Sequence, residues 1–458
     1  MLITTTWMIQ IDHGTWAGSA QLKIQPFINV TWVASSLIWG LGFLIAPLLF
    51  KASSKNVRHI PSLYILFIGS FAVAEWCRSV LFSLFNYGSG SSTGPYWSFG
   101  AYGLAITNSV AVYASRIVGL FGLSFIAAMF GIGIFLILRK KYRKAGLVMM
   151  IPLVACSAIG YALPATNQQL PFSTTIVHEP LGPSIFTERV IQDKSTQSTW
   201  KLSEQKQVVL FPEYSGVFDQ EITTREKTLL STIENNQDSV FMDAEAYYEK
   251  GQHYNRIALH KKDGEVIDGL KKSFLIPAGE YIPSYTSFLL QTFGGSTILN
   301  NLSDRIITKG DEPIRPFEVY GEKIGVLACS GAIAPELYRS LAKQDASLLI
   351  NSASLGIFKN APAYYKQNFA FARFQAVANA RPFIQIARQG PSFVLDKDGM
   401  LLDYYQPRTE TAVASYTLQK NTKKTPYTTY GEWVVYCLML VIGIRGVIHI
   451  HRRRTAKK

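Results

Sequence analysis

Cysteine is scarce, with four in 458 residues. Cys77, Cys156 and Cys437 fall in apolar runs, which leaves Cys329 alone in the polar middle of the chain. A lone thiol cannot form a disulfide within its domain, so disulfide stapling is excluded there and the thiol is a candidate reactive group. Charge is nearly missing from long stretches of the first third and from one stretch near the end, although the whole chain carries a formal +14. No repeat of about 20–50 residues is present, which excludes a solenoid. No aromatic stacking motif accompanies the basic residues, so the positive charge does not point to nucleic acid. No small-residue cleavage site follows the first apolar run, and its core is longer than that of a signal peptide, so this segment is expected to remain as a membrane anchor.

What is there instead is membrane-spanning pattern. Apolar runs of about 18 residues or more are candidate spanning helices. They occur at 27–50, 60–85, 117–138 and 147–163, with a fifth at 433–448. The segment 98–114 is apolar but rich in Gly, Asn and Ser, and reads as re-entrant or surface-lying. Lys51, Lys55 and Arg58, the run Arg139-Lys-Lys-Tyr-Arg-Lys144, and the tail His449-Ile-His-Arg-Arg-Arg454 with Lys457 and Lys458 mark three basic segments expected on the cytoplasmic side. Five helices meet that condition only with the polar middle of the chain outside. The expected division is a transmembrane region over 1–163, an outer domain over 164–424, and a last helix with a basic tail over 425–458. His449 and His451 read as part of a solvated basic tail rather than a metal site.

The outer domain alternates strand and helix signals. Strands are expected at 208–211, 254–259, 265–267, 324–328, 347–350, 383–386 and 392–395, and helices at 334–342 and 369–380. Asp263-Gly264 and Asp398-Gly399 mark hairpin turns. This mixture indicates a layered α/β or α+β domain.

Three segments place a polar residue at the end of an apolar strand: Val208-Val-Leu-Phe-Pro-Glu213, Lys272-Ser-Phe-Leu-Ile-Pro-Ala-Gly-Glu280, and Ile324-Gly-Val-Leu-Ala-Cys329-Ser330-Gly331. A thiol at a strand–helix turn is a nucleophile for acyl carbon, and a following helix N-terminus favours its thiolate. Glu213 is the candidate base. Lys272 and the backbone N–H of Ser330 are candidates to stabilise the oxyanion, and Glu280 to hold Lys272. Each residue alone has a structural reading: a surface lysine, helix-capping glutamates, a small buried thiol. The combination in this order is far more specific. On the spanning helix, Glu75 and Arg78 share a face at i,i+3; a structural ion pair competes there with a functional role. The aromatic-rich segment 281–302 reads as a lid or lipid-facing loop beside the site, or as a packed surface loop.

These blocks resemble those of the nitrilase (carbon–nitrogen hydrolase) superfamily, and with the flanking helices the chain is similar to the apolipoprotein N-acyltransferase family. Phe211-Pro-Glu213 resembles that family's W-P-E. Lys272 to Pro283 resembles K-x-x-L-V-P-F-G-E-Y-x-P. Gly325-Val-Leu-Ala-Cys329 resembles the nucleophile block, and Ala372-Arg373 through Arg381-Pro382 part of a later one. Glu75-Trp-Cys-Arg78, Gly94-Pro-Tyr-Trp97 and Gly119-Leu-Phe-Gly-Leu-Ser124 resemble membrane-region motifs. The resemblance implies an α-β-β-α sandwich on a multi-pass helical bundle in the bacterial inner membrane, with the catalytic domain on the periplasmic face. It implies transfer of a fatty acyl chain from a phospholipid, through a thioester, to the N-terminal amine of a lipid-modified cysteine in apolipoproteins, with Glu213, Lys272 and Cys329 as the catalytic set and no metal or organic cofactor. The chain departs from the pattern where C-Y-E becomes Cys329-Ser330-Gly331, where N-D-A-W-F becomes Ser354-Leu-Gly-Ile-Phe358, and where an Arg and a Glu become Gln375 and Ala378. Loss of the carboxylate at position 331 is expected to slow the second half-reaction, and Gly331→Glu to speed it if the backbone there tolerates a side chain; a turn that needs a positive φ at 331 would instead require the glycine. The rival readings are a membrane-tethered amidase or acyl hydrolase, and a non-catalytic relative that binds lipid or lipoprotein.

Overall fold

The computed structural model describes residues 9–10 and 25–455, apart from 56, 58, 164, 179–205, 216, 219–238, 262, 278, 294, 296–298, 301–302, 304–305, 359–360 and 407–411. Arg58, Pro164 of the expected linker, Lys262 of the first hairpin, parts of 281–302 and the tail residues Lys457 and Lys458 lie outside the described residues.

Helices form where the uncharged runs stand. They are α1 (Gln25–Leu41), α2 (Ile45–Ser54), α3 (Ile60–Phe85), α4 (Ser115–Ile137) and α5 (Arg143–Ala162). Four helical stretches are long and apolar enough to cross a membrane: Trp32–Ser54, Ile60–Phe85, Val110–Leu138 and Lys140–Ala162. In the first, α1 and α2 join through a 3-10 turn, Gly42–Leu44. Pro152 lies inside α5 without ending it.

The segment 98–114 holds two 3-10 turns, Tyr102–Ile106 and Val110–Ala114, rather than a span. Its backbone polar groups are served from the neighbouring helices, as a low-dielectric setting requires. Tyr102 N–H donates to Glu75 Oε1 at 2.8 Å, Arg78 Nη2 donates to the Phe99 carbonyl at 3.0 Å, and Gly103 N–H donates to Ser124 Oγ at 2.7 Å. Glu75 and Arg78 thus hold an irregular segment in place, which favours the structural reading of that pair.

Two six-stranded sheets follow. The first has the order β13-β2-β3-β4-β5-β6 and contains β2 (Ser173–His178), β3 (Gln207–Leu210), β4 (Ser239–Glu249), β5 (Gln252–His260), β6 (Val266–Lys271) and β13 (Ala412–Tyr416). The second has the order β12-β11-β10-β9-β8-β7, with β7 (Phe317–Val319), β8 (Glu322–Ala328), β9 (Leu348–Ser354), β10 (Phe383–Arg388), β11 (Ser392–Leu395) and β12 (Leu401–Tyr405). A short antiparallel pair is formed by β1 (Gln168–Gln169) and β14 (Gln419–Lys420).

The sheets pack face to face. Val208, Leu210, Met242 and Ile257 of the first share one core with Val326, Ile350, Ile384 and Val394 of the second. The central strands β2, β3 and β4 run parallel, as do β8, β9 and β10. Strands buried on both faces read as continuous apolar runs, which is how 324–328 appears in the sequence, whereas 383–386 is interrupted by the buried Gln385.

On the outer face of the second sheet lie α7 (Pro335–Lys343) and α8 (Pro362–Asn379), each opened by a proline at its first turn; α6 (Ser284–Thr292) lies apart from them, near the end of α3. Then come α9 (Pro426–Tyr430), N-capped by Thr425, and α10 (Trp433–Thr455), whose apolar part Trp433–His449 is shorter than the four spans.

Buried polar contacts tie the two halves together. Arg116 at the start of α4 donates to the carbonyls of Val377, Gly160 and Lys397 and to the Asp398 carboxylate at 2.5 Å. Gly119 adopts φ 73°, a left-handed conformation suited to glycine, and breaks α4 there. The N–H groups of Leu120 and Phe121 left open by the break then donate to the Glu432 carboxylate at 2.7 and 3.0 Å, a cap supplied from the other end of the chain.

Candidate active site

Strand direction builds the site. β3, β6, β8 and β9 end on the same side, and each delivers a group just past its C-terminal end. Glu213 follows β3, Lys272 follows β6, Cys329 follows β8, and Ser354 closes β9. A cross-sheet bond from Ser352 Oγ to the Phe211 carbonyl, 3.2 Å, fixes the meeting point.

Glu213 is buried and takes donors on both oxygens. Asn255 Nδ2 donates to Oε1 at 2.6 Å, Lys272 Nζ stands 3.4 Å from Oε1, and the Ser354 N–H donates to Oε2 at 2.9 Å. Lys272 Nζ also donates to Glu280 Oε1 at 2.6 Å, while Glu280 Oε2 accepts from the Ile276 N–H at 2.9 Å. Lys272 is therefore no surface lysine: it is 5% exposed, whereas its neighbour Lys271 pairs with Glu249 at the rim. The Cys329 thiol faces the Ser354 carbonyl at 3.9 Å, so one residue touches both the thiol and the Glu213 carboxylate. Glu213, Lys272, Glu280 and Cys329 are brought together. Ser330 adjoins them, and its hydroxyl donates to the Phe274 carbonyl at 2.7 Å, tying the turn at Cys329 to the segment that carries Lys272.

Burial and the neighbouring charges act together on the thiol. Two carboxylates and one ammonium give the pocket a net negative charge, so a thiolate would add a second. Burial first, and then the Glu213 carboxylate, push the Cys329 thiol well above its ordinary range, against the pull of Lys272. The helix N-terminus expected to favour a thiolate lies farther along the chain. Cys329 sits in a 3-10 turn, Cys329–Ile333, and α7 begins only at Pro335. Burial raises the Glu213 pKa despite Lys272. Burial works against the charge on Lys272, but Glu213 and Glu280 outweigh it and hold the ammonium firmly protonated.

Cys329 has φ 39°, a left-handed conformation costly for a residue with a Cβ, at the point where the strand gives way to the turn. The expectation for Gly331 needs correction. A Cβ there would stand 2.4 Å from Leu327 Cβ, so glycine is required by packing against β8 rather than by a positive φ. Gly331→Glu is accordingly expected to distort the turn at a cost of about 1–3 kcal/mol or more. Thioester yield should fall and the melting temperature drop, and faster turnover of the acyl-enzyme in that variant would contradict this.

Sequence reasoning missed Asn255, Tyr214 and the Ser354 N–H. Asn255 is inward-facing on β5 and fully buried; a polar residue inside the apolar strand 254–259 was the available signal. Around the thiol the environment is apolar. Cys329 belongs to one continuous cluster with Phe274, Leu355, Phe358 and Tyr364 that extends through Trp97, Phe82 and Trp39 into the membrane helices. Phe274 and Trp97 are in ring contact at 5.1 Å, and Phe82 and Trp97 at 5.4 Å. Among the described residues no group of three or more His, Cys, Asp or Glu side chains is placed to hold a metal ion.

The carbon–nitrogen hydrolase family model matches residues 200–427. An apolipoprotein N-acyltransferase of Agrobacterium fabrum is 25% identical over 98% of this chain and 91% of its own length. The enzyme of that name from Prochlorococcus marinus is 21% identical over 97% and 86%, and that from Geobacter metallireducens 22% identical over 75% and 67%. Among solved structures, a carbon–nitrogen hydrolase from Helicobacter pylori aligns over 53% of this chain and 88% of its own with 17% identity and a TM-score of 0.39. An amidase from Nesterenkonia sp. aligns over 59% and 97% with 16% identity and a TM-score of 0.40. The recurrence of one name over nearly the full chain, together with span-capable helices and a carbon–nitrogen hydrolase domain, places the chain in the membrane-bound apolipoprotein N-acyltransferase family of the nitrilase superfamily.

Proposed function

We propose that this protein is a bacterial inner-membrane acyltransferase that moves a fatty acyl chain from a phospholipid to the N-terminal amine of a lipid-modified cysteine in apolipoproteins. One observation carries the reading: a buried Glu–Lys–Cys cluster whose thiol adjoins an apolar cluster continuous with the membrane helices. Glu213 takes the Cys329 proton as Sγ attacks the ester carbonyl carbon. Proton transfer inside the pocket leaves its net charge unchanged, which a free thiolate would not. Lys272 Nζ and the Ser330 N–H stabilise the tetrahedral oxyanion. Collapse breaks the C–O bond, Glu213 returns the proton to the leaving oxygen, and a thioester remains. The amine then attacks, Glu213 accepts its proton, and the thiol is restored as the amide forms. Glu280 holds Lys272 throughout.

The test is incubation with phospholipid, followed by intact mass and hydroxylamine treatment. An acyl adduct on Cys329, stable in water and released by an added lipopeptide amine, supports the reading. Release at the same rate in water alone identifies an acyl hydrolase instead.

The same reading sets the orientation. The basic segments 51–59, 139–144 and the tail face the cytoplasm, and 164–424 face the periplasm. Single cysteines placed in a cysteine-depleted chain should be labelled from outside only in the catalytic domain. Protection of that domain would overturn the orientation.

A further inference from the structure

Tyr214, directly after the proposed base, is held in an unusual pose. Its φ is 59°, left-handed for an aromatic residue, which carries a cost of about 1 kcal/mol or more. Two long-range bonds pin its backbone there: its N–H donates to the Ala244 carbonyl at 2.7 Å, and its carbonyl accepts from Arg388 Nη1 at 2.8 Å. The half-buried side chain thereby stands beside Glu213, Glu280 and Lys272.

The hydrogen bonds fix which way its hydroxyl points. Asn255 Nδ2 has two hydrogens; one goes to Glu213 Oε1 at 2.6 Å and the other to Tyr214 Oη at 3.1 Å. A carboxylate at Glu213 requires the amide nitrogen on that side, so Tyr214 Oη is an acceptor from Asn255. Its own hydrogen must point away from Asn255. Among the described residues no acceptor takes it. Burial and the two neighbouring carboxylates push the phenol well above its ordinary pKa, so the proton stays on oxygen and the group is a donor rather than a base.

We propose that Tyr214 is a further catalytic residue whose phenol donates a hydrogen bond to the departing oxygen of an ester acyl donor. The proposal rests on the thioester reading above. Lys272 and the Ser330 N–H occupy the oxyanion side, so the leaving oxygen turns toward Glu213, which holds the proton taken from Cys329. As the C–O bond breaks, negative charge grows on that oxygen. The Tyr214 hydrogen bond stabilises it while Glu213 supplies the proton. Tyr214 keeps its own proton, and no further reactant is consumed. The demand for such a donor is specific to a poor leaving group, the alkoxide of a glycerol ester, and vanishes for a leaving group already stable as an anion.

The test compares wild type with Tyr214→Phe in single-turnover thioester formation, read by intact mass, using phospholipid in mixed micelles and the p-nitrophenyl ester of the same fatty acid. Loss of a hydrogen bond to developing charge predicts a rate about 10–100-fold lower with phospholipid, and less than about 3-fold lower with the nitrophenyl ester. Normal acylation by the nitrophenyl ester also shows that the variant is folded with an intact thiol and base. Equal losses with both donors would overturn the proposal in favour of a role through Glu213, and an unchanged phospholipid rate would overturn it outright. A wild-type protein acylated by neither ester would remove the thioester reading itself, and this proposal with it.

Discussion

Cys329→Ser is expected to leave no acyl-enzyme detectable by mass and to lower acyl transfer by at least about 10³-fold. The change removes one atom's worth of chemistry and little else, because the residue is 6% exposed and serine fits the same left-handed turn. The hydroxyl would have to lose its proton in a buried pocket that already holds Glu213 and Glu280. Burial and Glu213 push even the thiol well up. A serine hydroxyl starts from a far higher pKa, so Glu213 cannot take its proton to a useful extent. The melting temperature should stay within a few degrees of wild type, which separates lost chemistry from lost fold. Wild-type transfer by this variant would refute the thioester mechanism.

Lys272→Met has a double effect. It removes the charge proposed for the oxyanion, worth about 10²–10³-fold in rate. It also strips the counter-charge from two carboxylates, one of them 2% exposed, and breaking such a buried pair costs about 3–5 kcal/mol. Rate and melting temperature should therefore fall together, unlike in Cys329→Ser. The pH profile carries the sign. With Glu213 as the proposed base, acylation needs it ionised, and burial raises its pKa above the ordinary value. The acid limb of the wild-type profile should lie correspondingly above about pH 4.3. Lys272 lowers that pKa, so removing it should move the residual acid limb to higher pH. An acid limb that stays put would mean that Glu213 is not the base. Glu213→Gln should abolish the limb and about 10²–10⁴-fold of the rate.

The parts of this architecture that show in the sequence are those with a local cause. Uncharged runs give the spans, because backbone groups in lipid leave no choice but helix. Buried parallel strands give the apolar runs before Glu213 and Cys329. What stays hidden depends on strands far apart in the chain. β2 reads as polar, Ser173-Thr-Thr, yet all six of its residues are buried between β13 and β3. β4 carries Asp243 and Glu245 on a buried face, where Ser215 and Arg256 meet them, so its alternation is disguised. The role of Asn255 requires β5 to lie near the end of β3, which no local pattern encodes. The N–H of Ser354 has no sequence signature at all. The segment 98–114 is short of residues for a span, and the sequence shows its irregularity but not that Glu75 and Arg78 are its clasp.

The segment from Lys272 to Ser284 is gripped from the membrane side. Ser92 Oγ donates to the Ser273 carbonyl at 3.1 Å, Tyr281 Oη to the Asn86 carbonyl at 2.7 Å, and the Ser284 N–H to the Tyr87 carbonyl at 2.8 Å. The stretch that bears both Lys272 and Glu280 is thus shaped by residues 86–92, which belong to the helical half. In engineering terms the sandwich is not a transferable cassette. A chimera that joins it to the helices of a relative must carry residues 86–92 across with it, or the ammonium will be presented to the thiol in a foreign geometry.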